Sequence, residues 1–81
     1  MENRIAIVAI IVSNPGEVGK LNEILHEYSQ YIIGRLGIPY RDRGINIISV
    51  ALDAPQSVTS ALSGKLGMLR GVSASATYEK L

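Results

Sequence analysis

The chain contains no cysteine. It can therefore form no disulfide, offer no thiolate to zinc or an iron–sulfur cluster, and run no thiol chemistry. Histidine is nearly absent too, and His26 stands alone. Without cysteine, a transition-metal site here would need carboxylates from partner chains, so no metal ligand and no cofactor is expected. The helical angle of His26 places it among charges, away from the apolar side of its helix. No Ser–His–Asp set or carboxylate pair stands out, and Glu17 and Asp53 are explained as helix caps; no catalytic residue is expected and the chain reads as a non-enzyme. A strong excess of one charge is also missing: 8 Lys and Arg face 7 Asp and Glu, for a net charge of +1. A dedicated nucleic-acid binder usually shows a clear basic excess. The longest apolar run, Ile5 to Val12, is too short to span a bilayer. Met1-Glu2-Asn3-Arg4 lacks the marks of a secretory signal, so a cytoplasmic protein without membrane contact is expected.

What is present is a unit written twice, forty residues apart. Ile5 falls on Ile45, Ile7 on Ile47, Val8 on Ile48, Ile10 on Val50, Val12 on Leu52, Pro15 on Pro55 and Val18 on Val58. Self-similarity at a fixed offset signals repeat architecture, but two copies are too few for a solenoid. The better reading is a duplicated supersecondary unit within one domain, residues 1–81. The chain is 47% hydrophobic with a mean hydropathy of +0.22, high for 81 residues. A domain this small is marginally stable alone, and partner chains are expected to cover part of its apolar surface.

Arg4 to Val12 is apolar on both pleat faces, as a central strand is. Ser13-Asn14-Pro15-Gly16-Glu17 turns into a helix, with Asn14 as N-cap, Pro15 at the first helical position and Glu17 closing a capping box; Ser13 is an alternative cap. Val18, Leu21, Ile24, Leu25 and Tyr28 follow at helical spacing. Tyr31 to Leu36 is a second strand that ends near Gly37-Ile38-Pro39, and Tyr40 to Gly44 is a polar hairpin loop. Ile45 to Leu52 is a third strand, apolar on both faces. Asp53 and Gln56 are spaced as a second capping box, before a helix striped by Val58, Ala61, Leu62 and Leu66. Gly67 suits a left-handed C-terminal cap. Val72 to Glu79 alternates small and polar residues, as an edge strand does. The order βαββαβ predicts an α+β, ferredoxin-like sandwich: a four-stranded antiparallel sheet with two helices on one face.

Val8, Ile10, Val12, Ile48, Val50 and Leu52 are assigned to the helix side. Ile5, Ile7, Ile11, Ile45 and Ile47 then share the opposite face, an apolar patch larger than a monomer normally exposes. They are the expected interface of a homodimer or homotetramer.

Three further segments could carry chemistry. Asn14-Pro15-Gly16 ends a strand and opens a helix, where backbone N–H groups are free and the dipole favours an anion; ordinary capping is the alternative. Arg35, Tyr40, Arg41 and Arg43 lie in or beside the hairpin and suit an anionic ligand, a nucleic acid or a partner protein. The alternative is a solvated loop whose charges deter edge aggregation. Gly64 to Gly71 is glycine-rich and basic but lacks phosphate-loop spacing, and is read as a helix end.

Tyr31-Ile32-Ile33-Gly34-Arg35-Leu36-Gly37-Ile38-Pro39-Tyr40-Arg41, then Gly44-Ile45-Asn46-Ile47-Ile48-Ser49, Ala61 to Leu69 and Gly71-Val72 together resemble the small family of iron-only hydrogenase system regulators. The resemblance covers nearly the whole chain. It implies a ferredoxin-like fold related to ACT regulatory domains and to the C-terminal domain of nickel-responsive repressors. Asn14-Pro15-Gly16 also looks like the ACT ligand loop. The repressors carry an N-terminal DNA-binding domain, and none is expected here, where the first strand is read from Arg4. Their nickel site uses histidines and a cysteine, so nickel sensing is not carried over to a chain with His26 alone.

The expected function is a regulatory, ligand-sensing domain, a transcriptional regulator associated with the iron-only hydrogenase system. Its effector would be a small anion or amino acid bound by Asn14, Pro15 and Gly16, with Arg35, Arg41 or Arg43 as charge partners from the same or a neighbouring chain. The alternatives are a nucleic-acid binder using Arg41 and Arg43, with DNA as the partner, and a purely protein–protein interaction module working on another regulatory protein.

Overall fold

A computed structural model describes residues 2–81. Strand β1 (Asn3–Val12) leads to helix α1 (Val18–Glu27), strands β2 (Ile32–Tyr40) and β3 (Ile45–Pro55), helix α2 (Gln56–Gly67) and strand β4 (Val72–Tyr78). All neighbouring strands pair antiparallel in the order β2-β3-β1-β4. This is the expected α+β, ferredoxin-like arrangement, with the two most apolar strands at its centre. The duplication has a geometric meaning. Ala9 and Ser49, equivalent positions of the two copies, lie directly opposite each other on β1 and β3. The two halves are thus related by a local twofold relation centred on that pair.

The helix side of the sheet is the core. Val8, Ile10, Val12, Ile48, Val50 and Leu52 are all buried there, against Leu21 and Leu25 of α1 and Leu62 and Leu66 of α2. Each fully buried aliphatic side chain contributes about 1.5–3 kcal/mol. The second helix departs from its expected stripe. Ala61 is exposed, and Thr59 is wholly buried in its place.

Element ends differ from expectation where long-range pairing outweighs local signals. β3 runs on through Asp53, Ala54 and Pro55 because Ile5, Arg4 and Asn3 of β1 stand opposite them. Asp53 is therefore a strand residue and no cap, and α2 starts at Gln56 with no side-chain capping bond. β2 continues through Gly37, Ile38 and Pro39 to Tyr40, paired with β3 as far as Ile45; a proline is tolerated because this is an edge strand. A bulge at Ile33 shifts the register between Ile32 and Gly34. Before α1, a one-turn 3-10 helix occupies Pro15–Glu17. The Asn14 side chain accepts from the Gly16 N–H at 3.2 Å, in place of a capping box with Glu17. Gly67 is the last residue of α2 and the chain passes on through Met68 in right-handed conformation. The left-handed residue of this connection is Gly71, at φ 71°.

Candidate functional site

The sheet register brings three connections to one end of the molecule. Val12 stands opposite both Asn46 and Val72, and Tyr40 stands opposite Ile45. The Asn14–Gly16 turn, the Arg41–Gly44 loop and the Gly71 connection therefore share that end.

The turn meets its own hydrogen-bonding needs. Gly16 N–H goes to Asn14 Oδ1, Glu17 N–H to the Asn14 carbonyl at 3.0 Å, and Val18 N–H to the Pro15 carbonyl. Pro15 has no N–H to give. The N–H groups expected to be free are thus engaged locally, which corrects the premise on which an anion was placed there. Asn14 also packs on Gly71: a Cβ added at Gly71 would lie 2.8 Å from Asn14 Cβ.

Arg41, Asp42 and Arg43 form a single 3-10 turn closed by Gly44 at φ 64°. Both arginines are exposed and neither forms a salt bridge among the described residues. Tyr40 is not part of this basic tip. It stands at the end of the sheet face that the helices leave open, in line with Ile38 and Leu36.

Arg35 is also separate from the tip. It lies five positions before Tyr40 on β2, on the helix side of the sheet opposite Val50. Its Nη2 donates to Asn22 Oδ1 on α1 at 2.8 Å. A groove of about 300 Å³ lies there, lined by Asn22, Leu25, His26, Ser29, Ile32 and Arg35. Asn22 and Ser29 were not singled out in the sequence and His26 was read only as a surface residue, although their spacing of four and three residues follows one side of a helix.

The open sheet face is continuous. Cross-strand pairing puts Ile11 beside Ile47, Ile47 beside Ile38, and Tyr40 beside Ile45. Ile5, Ile7, Ile11, Ile47, Leu36, Ile38 and Tyr40 are each 38% to 61% exposed; Ile45 is half-buried. Leu36 and Ile38 extend the isoleucine set taken from the two central strands. Their period of two was present in the sequence, but Gly37 and Pro39 suggested that the strand had ended. Among the described residues, no helix is long and apolar enough to cross a membrane, and no three His, Cys, Asp or Glu residues are grouped to hold a metal.

Comparison with known proteins places these features in a wider set. Residues 4–76 match the model of the TM1266-like family, described as "Iron-only hydrogenase system regulator, putative". Among solved structures, that of TM1266 from Thermotoga maritima, described as an uncharacterized protein, is similar with a TM-score of 0.93 and 35% sequence identity. The alignment covers 98% of this chain and 100% of that one. No curated protein matches the chain.

Proposed function

The chain belongs to the TM1266-like family, and we propose from this that it is a non-enzymatic regulatory module that works as a homo-oligomer and senses a small effector. The observation that carries the reading is the uncovered sheet face. Seven large apolar side chains form one band on a domain of 81 residues. At roughly 25 cal/mol per Å², covering several of them contributes several kcal/mol to association. A second copy is the simplest cover, because a twofold contact needs only one self-complementary patch. A regulatory domain of the ACT-like kind would then have a subunit boundary at which an effector could act.

Light scattering at micromolar concentration tests the assembly. The expected mass is two or four times that of one chain, and the mass of a single chain overturns the homo-oligomer. A thermal-shift screen of amino acids and anionic metabolites tests the effector. Stabilisation by at least one is expected, and none by any of them would leave a purely protein-binding module.

A second reading rests on the exposed Arg41 and Arg43 tip, which oligomer symmetry would repeat. Direct nucleic-acid binding through it would fall steeply with salt. A gel shift that stays negative at low salt removes this reading.

A further inference from the structure

We propose that the groove between α1 and β2 is a binding site for a small molecule bearing a carboxylate or phosphate, with Arg35 as its anchor. This deepens the effector reading given above and rests on it, but places the site on the helix side of the sheet, away from both the Asn14–Gly16 turn and the open face.

The argument begins with the placement of Arg35. Its neighbours on β3 at the helix side, Ile48, Val50 and Leu52, are all buried and apolar. A charged side chain on that side of β2 is a departure from the pattern. Arg35 is itself exposed, and a charge on an edge strand can deter edge pairing, but that role requires neither a groove nor an oriented guanidinium. Here the guanidinium is tied to Asn22 by one bond of 2.8 Å. An arginine has five N–H donors in a fixed fork, so one bond sets its direction and leaves donors for a planar oxyanion. Two-pronged contacts of that kind are the geometry in which arginine exceeds lysine.

The surroundings suit the same ligand. Among the described residues no carboxylate lines the groove, and Ser29 and His26 add donor-capable groups to that of Arg35. Leu25 and Ile32 supply apolar wall for the ligand's carbon skeleton. On the same face of β2, Gly37 lies two residues beyond Arg35, and a Cβ there would meet nothing within 4 Å among the described residues. The approach to the guanidinium is therefore unobstructed along the strand. The volume of about 300 Å³ is at the lower end for small-molecule sites.

The test is an NMR titration of the full chain, following backbone amides with inorganic phosphate in one series and succinate in the other. Saturable shifts are expected at Asn22, His26, Ser29 and Arg35 with at least one probe, and the stronger probe separates phosphate from carboxylate as the ligand class. Arg35→Gln should weaken that binding at least about tenfold, the scale of one lost charge-assisted contact. Arg35→Lys should fall between, since it keeps the charge and loses the fork. Arg41→Gln should bind as the parent does. Absence of saturable shifts with both probes overturns the proposal, as does parental binding by both Arg35 variants. A single-chain mass in light scattering would instead strike at the oligomer alone, so the two failures are distinct.

Discussion

The carbonyl of Gly71 accepts two hydrogen bonds from Ser13, one from its backbone N–H at 2.8 Å and one from its hydroxyl at 3.0 Å. This pair locks the chain before β4 against the turn after β1. Gly71 does so in left-handed conformation and in close contact with Asn14. Gly44 has a similar φ of 64° but open space around it. Gly71→Ala should therefore cost more than Gly44→Ala. About 1–2 kcal/mol is expected at Gly44 from backbone strain alone, with the contact against Asn14 added at Gly71. Urea denaturation of the two variants measures the difference, and equal losses would show that the close contact relaxes freely.

Arg4 fastens three elements. Its Nη1 donates to Gln56 Oε1 at 2.9 Å, its Nη2 to the Glu79 carbonyl at 2.6 Å, and its guanidinium lies 5.3 Å from the centre of the Tyr78 ring. Glu79 answers by accepting from the Ile5 N–H at 2.8 Å. Arg4→Met should lower stability by about 1–3 kcal/mol, from hydrogen bonds to a charged group and the loss of cation–π contact. For a domain of this size, at about 4–8 °C per kcal/mol, that is a fall in Tm of roughly 4–24 °C, readable by circular dichroism.

Thr59 is wholly buried in α2, and its hydroxyl has no hydrogen-bond partner among the described residues. A buried unsatisfied polar group costs about 1–3 kcal/mol. Thr59→Val removes the hydroxyl at nearly the same shape and should raise the denaturation midpoint. Thr59→Ser keeps the hydroxyl and loses a methyl, and should lower it.

Lys65 joins α2 to α1. Its Nζ is 3.6 Å from Glu27 Oε2 and 5.2 Å from the centre of the Tyr28 ring. Hydrogen bonding with Tyr28, and then the charge of Glu27, raises the lysine pKa above its ordinary 10.5. A folded pKa above the unfolded one means that this contribution is complete below about pH 10 and is lost as pH rises through the folded value. Lys65→Gln should thus narrow its stability deficit relative to the parent in alkaline solution. Thermal melts of both proteins across that range check the sign.

Ile11 and Ile47 face each other across the two central strands, β1 and β3, on the open sheet face. Ile47→Asp should disperse the proposed oligomer to single chains in light scattering while the circular dichroism spectrum stays that of the folded protein. Unchanged mass would place the contact elsewhere, such as a strand edge.

The fold was largely legible because its signals are local and periodic. The two central strands announce themselves by apolar residues on both faces, and Val18, Leu21 and Leu25 by helical spacing. Gly71 was not legible. Gly67 carries the usual mark of a helix end, whereas Gly71 is required by Ser13 and Asn14, more than fifty residues away. The capping box at Asp53 and Gln56 failed for a related reason: Ile5 stands opposite Asp53 and holds it in the ladder. Of the candidate site, the basic tip was read as a loop and is one, but Tyr40 and Arg35 belong to different surfaces. Strand alternation alone puts Arg35 and Tyr40 on opposite faces of β2, and the strand's true length was needed to see it.

The amino-acid sequence by itself determined the repeat, the order of elements, the core stripes and the apolar face opposite the helices, because periods of 2 and 3.6 assign side chains to faces before any packing occurs. Tertiary structure alone decided how far β2 and β3 extend, which glycine turns left-handed, and that Arg35 meets Asn22 beside a groove. Those outcomes depend on which residue stands across the ladder or on the neighbouring helix, and no local pattern holds that information.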